Sequence, residues 1–145
     1  MKESFREFIE KFKETWRNSS ISELREMICN NYEAQEIRNQ EKVNFGYKES
    51  IDGWEQAFNY VKNHDAEWML TEVGVIPLRN DEVMVILWAT LVVDGKKLET
   101  ANLFFETFRY ENGDWKLVRS YIEAGLPLEK MVDLGTSDLI LKEKR

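Results

Sequence analysis

The sequence predicts an α+β fold: three helices in the N-terminal half packed on a strongly curved, mostly antiparallel sheet that forms a cone with an internal pocket. Three observations carry this. First, the stretch from Val83 to Gly125 holds long runs of Val, Ile, Leu, Phe and Trp joined at Asp94-Gly95 and Asn112-Gly113. Both dipeptides supply the positive φ angles that a two-residue hairpin loop needs. Second, those strands alternate into two faces that are both largely apolar, so both require cover. Third, the N-terminal half carries three segments with apolar residues at helical spacing.

In chain order, Phe5, Phe8, Ile9, Phe12 and Trp16 fall on one face of a first helix, and Asn18-Ser19-Ser20 ends it. Ser20-Ile21-Ser22-Glu23 reads as a capping box opening a short second helix with Leu24 and Met27 inward. Tyr32 to Arg38 reads as a first strand, and the polar stretch from Asn39 to Glu49 as a loop. Ser50 is expected to cap a third helix with Ile51, Trp54, Ala57, Phe58 and Val61 along its stripe. Glu67 to Ile76 is a second strand, followed by the three long ones. The cone is expected to occupy residues 1–126. Residues 127–145, with the apolar knot Leu139-Ile140-Leu141, form an extension that is either a dimer arm or a disordered tail.

Composition narrows the partners. The chain has 145 residues, 43% hydrophobic and 32% charged, which suits one domain with a sizeable core. A net charge of −7 repels phosphate backbones, so nucleic acid is not an expected partner. The longest apolar stretch, Val83 to Val93, is too short to span a bilayer, and the N-terminus alternates charged and apolar residues unlike a signal peptide. A cytoplasmic protein with no membrane partner is expected. Cys29 is the only cysteine and His64 the only histidine, so no metal-ligand spacing exists, and neither metal nor cofactor is expected.

The two turns set an expected register. Counting back from Asp94-Gly95 places Leu87 opposite Asn102 and Val83 opposite Glu106. Counting from Asn112-Gly113 places Glu106 opposite Arg119, Phe104 opposite Tyr121 and Asn102 opposite Glu123, all on one face. A bulge would move these residues to the other face. In this register Arg119 is a ligand-binding cation held by Glu106, or Glu106 is a base. The structural alternative is a cross-strand ion pair that fixes register. Glu123 and Tyr121 complete the candidate catalytic set. Asn102, Trp16, Trp54 and Phe104 are candidate ligand contacts, with Trp68 and Trp115 as further aromatic wall. Trp88 falls on the opposite face, where a homodimer partner is expected.

The order of elements resembles the nuclear transport factor 2-like superfamily. So does the pattern Asp94-Gly95-Lys96, then Phe104-Phe105-Glu106, then Asn112-Gly113-Asp114-Trp115-Lys116-Leu117-Val118-Arg119. The SnoaL-like branch, with its polyketide cyclases and ketosteroid-isomerase relatives, is the nearest. The resemblance runs from Phe5 to about Gly125 and implies a cone-shaped pocket, a homodimer and activities from isomerase to pure binding scaffold. The catalytic Asp of those enzymes has no mid-strand counterpart; the strand acids are Glu36, Glu72, Glu106 and Glu123. The leading expectation is a protein that binds a small, largely apolar molecule with one polar or anionic end. The alternatives are an isomerase, dehydratase or cyclase using a pocket Glu as base, and an association module with a closed pocket.

Overall fold

The computed structural model describes residues 4–135, so the Leu139-Ile140-Leu141 knot lies outside the described residues. It opens with helices α1 (Ser4–Arg17) and α2 (Ile21–Glu26), and then strands β1 (Ile28–Arg38) and β2 (Glu41–Gly46) form a hairpin. Helix α3 (Tyr47–Lys62) follows, then β3 (Ala66–Arg79), β4 (Glu82–Val93), the two-residue β5 (Lys96–Lys97), β6 (Thr100–Glu111) and β7 (Asp114–Pro127). A single helical turn, α4 (Leu128–Met131), and a 3-10 turn (Val132–Gly135) close the described chain.

The sheet runs β2-β1-β7-β6-β4-β3, with β5 paired to β4, and every pair is antiparallel except β1 with β7. The three N-terminal helices pack on one side of this curved sheet, the architecture expected from the sequence. Helix α1 drives Ile9, Phe12 and Trp16 into the concave face, where Phe108, Leu117 and Val85 are fully buried. Phe108 is the hub: Phe5, Phe8 and Phe12 all meet it edge-on, with ring centroids 5.1 to 5.9 Å away.

Four local expectations need correction. The stretch read as a loop contains β2, turned by Asn39 and Gln40, both at positive φ (53° and 68°). Helix α3 therefore starts at Tyr47 rather than Ser50, and Glu49 accepts the Gly46 N–H at 3.0 Å as its cap. Ser20 stands at the α2 N-cap but its side chain makes no capping bond. The hairpin leaves its turn in the expected register, Val93 of β4 opposite Lys96 of β5, but Leu98 and Glu99 leave the ladder before β6. Ala89 then opposes Asn102 and Val85 opposes Glu106, a slip of two that preserves the faces.

The convex face is covered in part by the chain itself. Met131 of α4 packs with Trp88 and Ala101, leaving Trp88 only 2% exposed in the single chain. Trp88, expected at an intersubunit face, is thus sealed by the segment after β7, which folds back on the sheet. No helix of the described residues is long and apolar enough to cross a membrane.

Candidate functional site

One bulge decides which side chains enter the cone. Strands β6 and β7 leave the Asn112-Gly113 turn in the expected register, through Tyr110↔Trp115 and Phe108↔Leu117. The next pair is Thr107↔Arg119, so Val118 has no cross-strand partner. From there the parity is reversed. Glu106 opposes Ser120, and Phe104 opposes Ile122.

Three of the residues expected in the site are therefore outside it. Arg119 is on the convex face, 46% exposed, and bonds Glu82 at 3.3 Å. Tyr121 is exposed, lies against Phe105, and donates its hydroxyl to Glu123 on the same strand. The expected Glu106–Arg119 pair does not form; two faces of the sheet separate them. The physical reason is burial cost. One extra residue lets an arginine, a phenol and a carboxylate stay hydrated while Ser120 and Ile122 fill the interior.

Arg119 joins an ionic cluster instead. Glu82 is buried and receives Arg109 at 2.8 Å through Nε and 2.6 Å through Nη2, as well as Arg79 and Arg119. Burial pushes the Glu82 carboxyl up, but the hydrogen bonds from Arg109 and Arg119 outweigh it and hold the group below its ordinary value. This cluster ties β4, β6 and β7 together.

The other expected residues do converge. A cavity of about 650 Å³ between the concave sheet and α3 is lined by Trp16, Trp54, Asn102, Phe104 and Glu106. The sequence reading placed Trp68 in this wall too, and it is there, its indole N–H bonding the Ser19 hydroxyl at 3.0 Å. Trp16 is the centre of the aromatic wall, crossed nearly at right angles by Trp54 at 4.7 Å and Phe104 at 5.1 Å. Asn102 turns its carbonyl oxygen to the Gly125 N–H at 2.9 Å, at a second irregularity where Gly125 takes a φ of +73°. Trp115 belongs to the plain core beside Phe5, at 4.8 Å.

Glu106 is the group with chemistry. It is 1% exposed, and Ser120 donates a hydrogen bond to it. Burial pushes its carboxyl up from 4.5 to about 7, against the Ser120 bond, which lowers it. Tyr32 of β1 completes the floor. Burial and then the charge of Glu106 push its phenol upward, while bonds with Ser120 and Ser50 oppose the shift. Ser120 and Tyr32 were not expected here. Ser120 depends on the bulge, and Tyr32 is brought in by the parallel β1–β7 pairing, which no local pattern announces. At the mouth, Arg38 bonds Glu36 at 3.0 Å, and Glu49 caps α3. Among the described residues no group of three or more His, Cys, Asp and Glu is placed to hold a metal ion.

Solved structures match this architecture over most of the chain. A domain of unknown function with a cystatin-like fold from Nostoc punctiforme superposes with a TM-score of 0.66 at 13% identity, covering 99% of this chain and 91% of that one. An NTF-2 like protein of unknown function from Shewanella oneidensis gives 0.63 at 16% identity, covering 84% and 98%. The chain has the NTF2-like fold. A third match is described as a putative calcium/calmodulin-dependent protein kinase type II association domain, from Thiobacillus denitrificans. It gives 0.60 at 18% identity, covering 78% of this chain and 88% of that one. At these identities the likeness of NTF2-like structures concerns fold alone. No protein-family model matches the sequence, and no curated protein matches it.

Proposed function

We propose that the protein binds a small, largely apolar molecule inside the cone, with the polar end of that molecule at the Glu106–Ser120 pair. The observation that carries this reading is Glu106 itself, a carboxyl 1% exposed in the wall of an aromatic cavity of about 650 Å³. Folds rarely bury an acid without a cation unless something makes use of it. The anionic end considered from the sequence loses its support, because Arg119 faces the other way. An open cavity also speaks against an association module with a packed interior.

Gly53 gives a clean test. It lies on α3 at the cavity wall, and a Cβ added there meets nothing within 4 Å. Gly53→Leu should fill the mouth without disturbing the fold. Wild-type protein should show altered tryptophan emission when titrated with a small aromatic alcohol such as 2-phenylethanol, and Gly53→Leu should not. Wild-type emission that stays constant up to saturating probe, with no compound retained in native mass spectrometry, overturns the reading.

Proton transfer is a second reading, favoured by one observation: a carboxyl at about 7 beside a hydroxyl can hold or release a proton near neutral pH. Glu106 is then the base for an isomerase-, dehydratase- or cyclase-type step, without Glu123, Tyr121 or Arg119. Glu106→Gln should keep binding a turned-over compound and lose the turnover.

A further inference from the structure

We infer that the cavity selects an organic cation, a protonated or quaternary amine carried on an apolar or aromatic body, with Glu106 as its counter-ion. The inference rests on the binding reading above and gives its ligand a charge.

The argument is one of unmatched charge. Three carboxylates line the cavity, Glu36, Glu49 and Glu106, against a single guanidinium, Arg38. Arg38 is already committed to Glu36. Glu49 is held ionised, below the usual carboxylate range, by backbone N–H bonds of its own residue and Gly46. Among the described residues no cation comes within ion-pair distance of Glu106. The groups shown beside it are neutral: its cross-strand partners Val85 of β4 and Ser120 of β7, and the Tyr32 phenol of β1, which feels its charge. A buried carboxyl without a cation keeps its proton, and it ionises where a bound cation supplies the positive partner.

The wall suits the same guest. Trp16, Trp54, Trp68 and Phe104 supply π-electron surface in the same cavity wall, the setting in which ammonium groups gain cation–π attraction. The Trp16 N–H, a donor that would repel a cation, is buried away from any accessible surface. The chain's net charge of −7 raises the local concentration of cations. An anion meets the opposite on every count. A neutral alcohol or ketone gains only one hydrogen bond.

Three probes of matched size separate the cases: phenethylamine, 2-phenylethanol and phenylacetate, titrated into the full chain by calorimetry. Phenethylamine should bind at least about tenfold tighter than the alcohol at about pH 8, and phenylacetate weakest. The preference should shrink at about pH 5.5, where Glu106 is protonated while the amine keeps its charge. Near pH 6.5, amine binding should release a proton to the buffer, seen as a heat that changes with buffer ionisation enthalpy. Glu106→Gln, checked for a cooperative unfolding transition, should abolish both the preference and the proton release while keeping alcohol binding. Alcohol bound as well as or better than amine at about pH 8 overturns the amine assignment and leaves the binding reading intact. Failure of all three probes overturns both. The wild-type comparisons stand without the variant.

Discussion

Ser120 donates its hydroxyl to Glu106 across the β6–β7 pair, on the concave side of the sheet. That contact exists only because Val118 is bulged out of the ladder one step earlier. It puts an acid with a polar partner, but no counter-charge, in the wall of an aromatic hollow. Several measurable consequences follow from it and from its surroundings.

Glu106 should make stability fall as pH rises. Its folded value, about 7, lies above the ordinary 4.5, so the folded state holds a proton that the unfolded chain gives up. The penalty is absent below about pH 4.5, grows through the interval up to about 7 and is constant above it. Its ceiling is about 3 kcal/mol, at 1.36 kcal/mol per unit. Urea unfolding of wild type and Glu106→Gln from pH 4 to 8 should show a difference that opens over that interval. Parallel curves would refute the assignment.

Glu82 should act in the opposite sense. Its carboxyl is held low by arginines, so its contribution is present above the ordinary value and lost as the medium is acidified below it. Glu82→Gln should cost on the order of 1–3 kcal/mol, because three guanidinium groups lose their shared anion. Arg119→Ala alone should cost under about 1 kcal/mol, since its side chain is 46% exposed. Equal costs for the two variants, measured in urea, would contradict the cluster.

Tyr121→Phe and Glu123→Gln should leave probe binding in the cavity unchanged. Both residues sit on the convex face and bond each other. Surface changes of this kind move stability by about 0.5 kcal/mol or less. A loss of probe-induced tryptophan quenching in either variant would put the bulge in the wrong place.

Gly53→Ala should stabilise the protein by about 0.5–1 kcal/mol. The position is interior to α3 and the added methyl group meets nothing within 4 Å. The gain is helix propensity without a clash. Chemical denaturation at neutral pH checks it, and destabilisation would show that the mouth of the cavity is occupied or tighter than described.

Met131→Ala should cost roughly 2–3 kcal/mol. Met131 is 7% exposed and packs with Trp88 on the convex face. A near-neutral effect in urea unfolding would mean that something other than α4 covers Trp88.

Much of this molecule was legible from local chemistry. Asp94-Gly95 and Asn112-Gly113 are the hairpin turns, with Asp94 and Asn112 at φ of 53° and 55°. The stripes Phe5–Trp16 and Ile51–Val61 are helices, because amphipathic spacing and turn preference are decided within a few residues. Glu106, Asn102, Phe104, Trp16 and Trp54 meet at the cavity because their faces depend only on parity near a turn, or on a helical stripe. The β2 strand was missed because Asn39-Gln40 lacks the glycine that marks a tight turn.

Tertiary structure alone decided the rest. Whether a strand bulges depends on what both of its faces meet, and Val118 leaves the ladder so that Arg119 reaches Glu82 and Ser120 reaches Glu106. The parallel β1–β7 pairing, which brings Tyr32 to Glu106, joins segments some ninety residues apart through backbone bonds that carry no side-chain signature. Local sequence sets the period of each element. The phase of one element against another is set by the cost of burying charge, and that cost is known only once the neighbours are in place.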